Sequence, residues 1–270
     1  MDAWKNRLFI SIPRWTVGNP ASLTSIDLPS RDMSPLLRPY PNWESHTTPT
    51  NPDCRKIMSV FRIHIDPCGR LWALDAGLVN TTTNFNHVCP PKILIFDLET
   101  DQHILTYRIP DVQVKEDNLL TSIFVDVHNG KCDDAHAYVA DAWRNGLLVF
   151  SLRKRQSWRV THHFMMPDPH ACEHNFNNEI YFQWTDGIFT VALVGYRGPN
   201  SQSSISAIDR DGVLFYTLID QDAVGCWDTN KPLLPNNIHH VDQSHMFMPF
   251  PIDLKVDKET DQGVWTPKQP

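Results

Sequence analysis

The stretch Phe61-Arg-Ile-His-Ile-Asp66-Pro-Cys-Gly-Arg-Leu-Trp72-Ala-Leu-Asp75-Ala-Gly77 constrains the fold of this chain more than any other. An apolar run ends at an aspartate, a turn bearing Gly69 follows, and a second apolar run ends at another aspartate. Glycine accepts the positive φ that tight hairpin loops demand, so the pattern reads as a β-hairpin. It returns at 123–127 with 137–141, at 208–219, and at 254–257 with 263–265, with the aromatics Trp72, Tyr138, Phe215 and Trp265 as anchors. Loose repeats of about 40–50 residues or more, built of short strands, are the sequence mark of propeller blades.

Composition agrees with a β-rich reading. Proline is abundant (21) and glycine scarce (11), as expected for many short strands joined by stiffened loops. No stretch longer than a turn or two keeps a 3.6-residue apolar period, so the fold class reads as all-β. The 270 residues, 41% hydrophobic and 20% charged, carry enough apolar mass for a core. A net charge of −7 offers no basic stripe for nucleic acid, and Arg153-Lys154-Arg155 reads as a solvated loop. No run of 18 apolar residues occurs, so no membrane span is expected. The first eight residues lack the basic head and apolar middle of a signal peptide.

Along the chain, Leu8-Phe-Ile-Ser-Ile-Pro13 reads as a strand, and 29–56 as a long Pro-, Ser- and Thr-rich belt or functional loop. Two further strands, 92–97 and 104–109, complete one four-stranded blade over 57–110. A second blade follows at 119–127, 137–142, 146–151 and 157–161. The run 186–193 reads as an inner strand with no partners beside it, and a last hairpin starts at Phe250.

These segments resemble the Yellow and major royal jelly protein family of insects, the Yellow branch above all. The resemblance rests on Arg7-Leu-Phe-Ile-Ser-Ile-Pro-Arg-Trp15, Pro35-Leu-Leu-Arg-Pro-Tyr-Pro-Asn-Trp43 and the 66–77 hairpin, then on Cys89-Pro-Pro-Lys-Ile-Leu-Ile-Phe-Asp-Leu98 and Tyr138-Val-Ala-Asp141. Trp184-Thr-Asp-Gly-Ile-Phe189, Gly198-Pro-Asn-Ser-Gln-Ser-Ser204 and Gly225-Cys-Trp227 continue it in family order. It implies a secreted, extracellular six-bladed β-propeller occupying residues 1–270 as one domain, here incomplete. The family's secretory signal is absent, most of one blade is lacking between Leu193 and Gly195, and the chain stops at Pro270 before the closing strands. Missing strands leave open sheet edges, so poor solubility is expected; a monodisperse, cooperatively melting monomer would contradict that.

Six cysteines allow 15 pairings. In the implied propeller, Cys54 and Cys89 lie in loops on one face, and Cys68 and Cys132 in loops on the other face of adjacent blades, so Cys54–Cys89 and Cys68–Cys132 are the disulfides expected. Cys226 is left free or paired with Cys172, and a reduced state would require an intracellular compartment. Asn80-Thr81-Thr82 is the N-glycosylation sequon. None of the 13 histidines falls in a zinc-protease pattern, no Cys-x-x-Cys spacing occurs, and no phosphate loop is present, so neither metal nor cofactor is expected.

A propeller's ligand site is its central channel, lined by alternate residues of the inner strands. The candidates are Arg62, His64, Ser122, Asp126, Trp184, Asp186, Gln202, Asn237, Phe250 and Asp253. A carboxylate such as Asp186 would pair with an amine while Trp184 or Phe250 stacks on a ring, with Arg62, Ser122 and Asn237 completing the polar lining. The family resemblance implies a role in cuticle pigmentation, with binding of catechol-type or other biogenic amines as the first reading. Conversion of dopachrome, a channel His or Asp acting as base, is the second; a structural or nutritive role remains if both fail. A calcium-dependent lactonase is weaker, because glutamate is nearly absent from the inner strands.

Overall fold

In the computed structural model, the residues described are 1–16, 18–32, 34–81, 86–127, 130–162, 165–166, 173–176, 180–183, 185–191, 206–208, 211, 213–218, 223–228, 230–231, 235–242, 251–256 and 263–267. Among them the regular structure is all-β, broken only by short 3₁₀ turns. The chain divides into two compact units, one of residues 1–139 and 148–160, the other of residues 140–147 and 161–270.

The first unit contains three four-stranded antiparallel sheets, the last of which runs on past the unit at its loops. β1 (Asp2–Trp4), β2 (Arg7–Ser11), β3 (Leu23–Asp27) and β4 (Arg38–Pro39) pair in chain order. β5 (Val60–Ile65) and β6 (Arg70–Asp75) form the hairpin expected at 61–77. A small ribbon of β7 (Leu78–Val79) and β8 (Asn86–His87) separates it from β9 (Lys92–Asp97) and β10 (His103–Arg108), and the sheet order is β5-β6-β9-β10. β11 (Leu120–Val127), β12 (Ala135–Asp141), β13 (Gly146–Ser151) and β14 (Gln156–Thr161) repeat that meander, the form of a propeller blade.

Side chains alternate across a strand, so one sheet can bury both its faces. Leu71, Ala73, Leu94 and Phe96 turn toward Phe9, Leu23 and Tyr40 of the first sheet. Trp72, Leu74, Ile93 and Ile95 turn the other way, onto Leu120, Val125, Ala137, Val139 and Phe150 of the third. This double burial explains why β6 and β9 read as unbroken apolar runs rather than alternating ones. Trp72 is fully buried and meets Phe150 edge-on at 6.2 Å between ring centroids.

The two aspartates that end the apolar runs are structural fastenings. Asp66 accepts hydrogen bonds from the backbone N–H of Cys68 (2.9 Å) and Arg70 (3.1 Å), from Arg70 Nε (2.7 Å) and from Trp72 Nε1 (2.8 Å). Gly69 closes that turn with φ 72°. Asp75, fully buried, accepts from the N–H of Met58 (2.8 Å), Ser59 (2.8 Å) and Gly77 (3.1 Å), and pairs with the buried Lys92 Nζ at 3.0 Å. Lys92 also donates to the Cys54 carbonyl (3.0 Å). Gly77, at φ 65°, lies so close to the chain opposite that a Cβ there would overlap the Cys89 carbonyl oxygen.

Disulfides join Cys54 to Cys89 and Cys68 to Cys132. Cys172, the partner considered for Cys226, lies outside the described residues. In the 29–56 segment Tyr40, His46 and Thr47 are buried, with Tyr40 edge-on between Phe9 and Phe96, while most of its other described residues are exposed.

In the second unit, β15 (Glu173–Phe176) and β16 (Ile180–Gln183) form a hairpin. β17 (Ser206–Ile208), β18 (Val213–Leu218), β19 (Ala223–Asp228) and β20 (Ile238–Asp242) form another four-stranded meander, of which the sequence reading caught only the first hairpin. β21 (Pro251–Val256) and β22 (Gly263–Pro267) make the last hairpin. Of the inner strand expected over 186–193, the described part, 186–191, is irregular. Its backbone N–H groups go elsewhere, Gly187 to the Ala142 carbonyl and Ile188 to that of Met165. Gly187 is pressed so closely against the Met165 carbonyl and the Asn145 side chain that a Cβ would overlap both.

Candidate functional site

β5 and β11, the first strands of consecutive sheets, lie side by side. On β5, Arg62 and His64 alternate with the buried Phe61, Ile63 and Ile65, and remain half-buried. On β11, Ser122, Phe124 and Asp126 share one parity, and Phe124 and Asp126 are again half-buried. The two rows meet where the His64 and Phe124 rings lie 4.7 Å apart, tilted by 49°. Ser122 is 7% exposed, and its Oγ is buried with no hydrogen-bond partner. A buried hydroxyl without a partner costs free energy, which marks it as a place where a further polar group would be welcome. Tyr138 on β12 stands near Asp126; burial, and then the Asp126 charge, push its phenol pKa up.

This face thus gathers a cation, an imidazole tilted against a phenyl ring, an orphaned hydroxyl and a carboxylate, with a phenol near the carboxylate. Arg62, His64, Ser122 and Asp126 were readable from strand parity. Phe124 was overlooked, although it sits at i+2 from Ser122 and i−2 from Asp126. The remaining expected residues fall in the second unit or outside the description. Asp186 is half-buried in the irregular 185–191 segment, where the absence of a strand removes the parity that had aimed it at a channel. Asn237 closes the 3₁₀ turn Pro235–Asn237 and is half-buried. Asp253 belongs to β21. Trp184, Gln202 and Phe250 lie outside the described residues. Asn80, at φ 57°, is half-buried and donates its N–H to the Arg14 carbonyl. Among the described residues, no three His, Cys, Asp or Glu side chains are grouped to hold a metal.

One buried histidine had no sequence signal at all. His46 is 8% exposed, its Nε2 is 3.1 Å from the Tyr40 carbonyl and its Nδ1 has no partner. Burial is the main influence and pushes its pKa down; the nearby Arg14 acts in the same sense, and Asp75 and the backbone carbonyls oppose it.

A family profile described as Major royal jelly protein matches residues 58–196 and 190–266. The chain belongs to this family. Among its relatives, the Dopaminechrome tautomerase of Drosophila melanogaster is 42% identical over 316 residues, covering 98% of this chain and 68% of the relative. Protein yellow of the same fly is 36% identical over 321 residues, covering all of this chain and 58% of the relative. Matches of 316 and 321 positions against a chain of 270 residues mean that the relatives carry stretches this chain skips. The profile's two matches meet at 190–196, where the sequence reading had found most of a blade lacking. Virginiamycin B lyase from Staphylococcus aureus is a structural neighbour at TM-score 0.43 and 11% identity, over 76% of this chain and 62% of that one. No helix among the described residues is long and apolar enough to cross a membrane.

Proposed function

We propose that this member of the family is a secreted pigment-pathway protein whose β5–β11 face takes catechol-type amines. The observation that carries the reading is the buried, unpartnered Ser122 hydroxyl on one face with Arg62, the His64–Phe124 ring pair and Asp126. An aromatic ring would lie against His64 and Phe124, an ammonium group would pair with Asp126, and ring hydroxyls would meet Ser122 and Arg62. Secretion is supported by two disulfides, which persist in oxidising compartments. The likeness to Protein yellow supports the pigment-pathway setting.

A second reading, turnover of dopaminechrome, is favoured by 42% identity to the Dopaminechrome tautomerase across nearly the whole chain. Isomerisation of an aminochrome to a dihydroxyindole takes one proton from each of two ring carbons and delivers one to each of the two quinone oxygens, with no net oxidation. Each transfer asks for a base and a donor, for which the candidates are His64 or Asp126 and Ser122 or Arg62.

Calorimetry with dopamine and serotonin tests binding, and dopaminechrome decay followed optically, with and without EDTA, tests turnover. Asp126→Asn should weaken dopamine binding by about tenfold or more, the worth of a charge-assisted contact. Loss of conversion in His64→Ala with dopamine still bound would assign the base to His64, and retained conversion would assign it to Asp126. Silence in both assays would refute the reading and leave a structural or nutritive role.

A further inference from the structure

A cavity elsewhere in the first unit shares no residue with the β5–β11 face. It has a volume of about 400 Å³, within the range of small-molecule pockets, and is lined by Cys54, Arg55, Pro90, Lys92, Thr106 and Arg108. Its walls are mainly apolar, as expected where the proline ring and the methylene stems of long cationic side chains form the surface. Three of the six lining residues are cationic and none is acidic, in a chain whose net charge is −7.

The three cations are held in different ways. Lys92, 3% exposed, is committed to Asp75 and the Cys54 carbonyl and forms a fixed positive wall. Arg55 spends Nε and one terminal nitrogen on Asp53, and Arg108 spends a single terminal nitrogen on both oxygens of Asp111. A guanidinium carries five N–H donors, so each arginine keeps donors for an incoming anion. Neither Asp53 nor Asp111 lines the cavity. The frame is stiff, because the Cys54–Cys89 disulfide ties down the loop that carries Arg55, while Thr106 and Arg108 stand on β10.

We propose that this cavity binds small organic anions, a flat apolar body seated against Pro90 and the side-chain stems with one carboxylate held between Arg55 and Arg108. This selectivity is opposite in charge to that of the β5–β11 face, so the two sites are told apart by their ligands.

The test is a calorimetric titration of the whole protein at low ionic strength with 2-naphthoate, 2-naphthylmethanol and 2-naphthylmethylamine. Naphthoate should bind with a Kd below about 1 mM, the alcohol about tenfold more weakly, and the amine not measurably. Arg55→Gln and Arg108→Gln, both at exposed positions, should each weaken naphthoate by roughly three- to tenfold without moving the melting temperature. Thr106→Trp should block binding by filling the cavity, and saturating dopamine should leave naphthoate binding unchanged. Equal affinity for acid and alcohol, or unchanged binding in both arginine variants, would overturn the proposal. Loss of naphthoate binding on adding dopamine would overturn it too, by assigning the anion to the other face.

Discussion

Replacing Asp75 by asparagine tests the fastening at the heart of the family hairpin. The carboxylate is fully buried and receives three backbone N–H groups at 2.8–3.1 Å together with the ammonium of Lys92, itself 3% exposed. Asparagine keeps one acceptor oxygen, enough for Ser59 and Gly77, but turns an NH₂ toward the Met58 N–H and toward Lys92. The variant therefore has a buried ammonium without a counter-ion and an orphaned amide, and removing one partner of a buried pair costs about 3–5 kcal/mol. Lys92→Met is the informative comparison. It leaves an aliphatic side chain of similar length against the same walls, and Asp75 still receives its three N–H donors, so the cost should be roughly half as large. Urea unfolding gives both values, and native-state hydrogen exchange at the Met58 and Ser59 amides localises them. If Lys92→Met proves as costly as Asp75→Asn, the ion pair dominates and the reasoning from backbone donors is wrong. If Asp75→Asn costs less than about 1 kcal/mol, the site is not a fastening at all.

Gly77→Ala should cost at least about 2 kcal/mol, because its Cβ would meet the Cys89 backbone at positive φ, whereas Gly69→Ala, at similar φ but with the Trp4 ring no nearer than ordinary contact, should cost about 1 kcal/mol; thermal melts of the two variants decide it. The burial of His46 predicts a pH effect. Its folded pKa lies below the ordinary value of about 6.5, so the unfolded chain binds the proton more readily, and stability is lost as pH falls from about 6.5 through the folded pKa. Melting temperatures between pH 7.5 and 5 should fall in the wild type and fall less in His46→Asn. Opening the Cys68–Cys132 bridge, which spans 64 residues, by paired serine substitution should cost about 4 kcal/mol, with a slightly smaller loss for Cys54–Cys89 and its 35-residue span. Equal melting with and without reductant would contradict it.

How legible each element was depended on whether its instructions were local. The sheets β5-β6-β9-β10 and β11-β12-β13-β14 could be read because their strands are six to eight residues long and are joined by turn-forming residues. Of the first sheet only β2 could be read: β1 has three residues and β4 two, and their place is set by Phe9, Tyr40 and Phe96 meeting across some ninety residues of sequence. The 186–193 run had the composition of a strand, but a strand needs neighbours for its N–H groups, and those of Gly187 and Ile188 go to a loop and a turn instead. For the candidate site, parity along β5 and β11 was enough to pick out Arg62, His64, Ser122 and Asp126. The Asp75–Lys92 pair and the buried His46 were invisible, since each depends on loops folding over a finished sheet.

The hairpin that makes this chain recognisable works as a clasp. Asp66 ties a turn to its own tryptophan, and Asp75 ties a preceding loop, a glycine bend and a neighbouring strand to one point. None of those bonds involves Arg62, His64, Ser122, Phe124 or Asp126. Two proteins can therefore share the clasp atom for atom and still do different chemistry, or one of them none. Telling a pigment binder from an isomerase within such a family means reading the side chains that alternate along the first strand of each sheet.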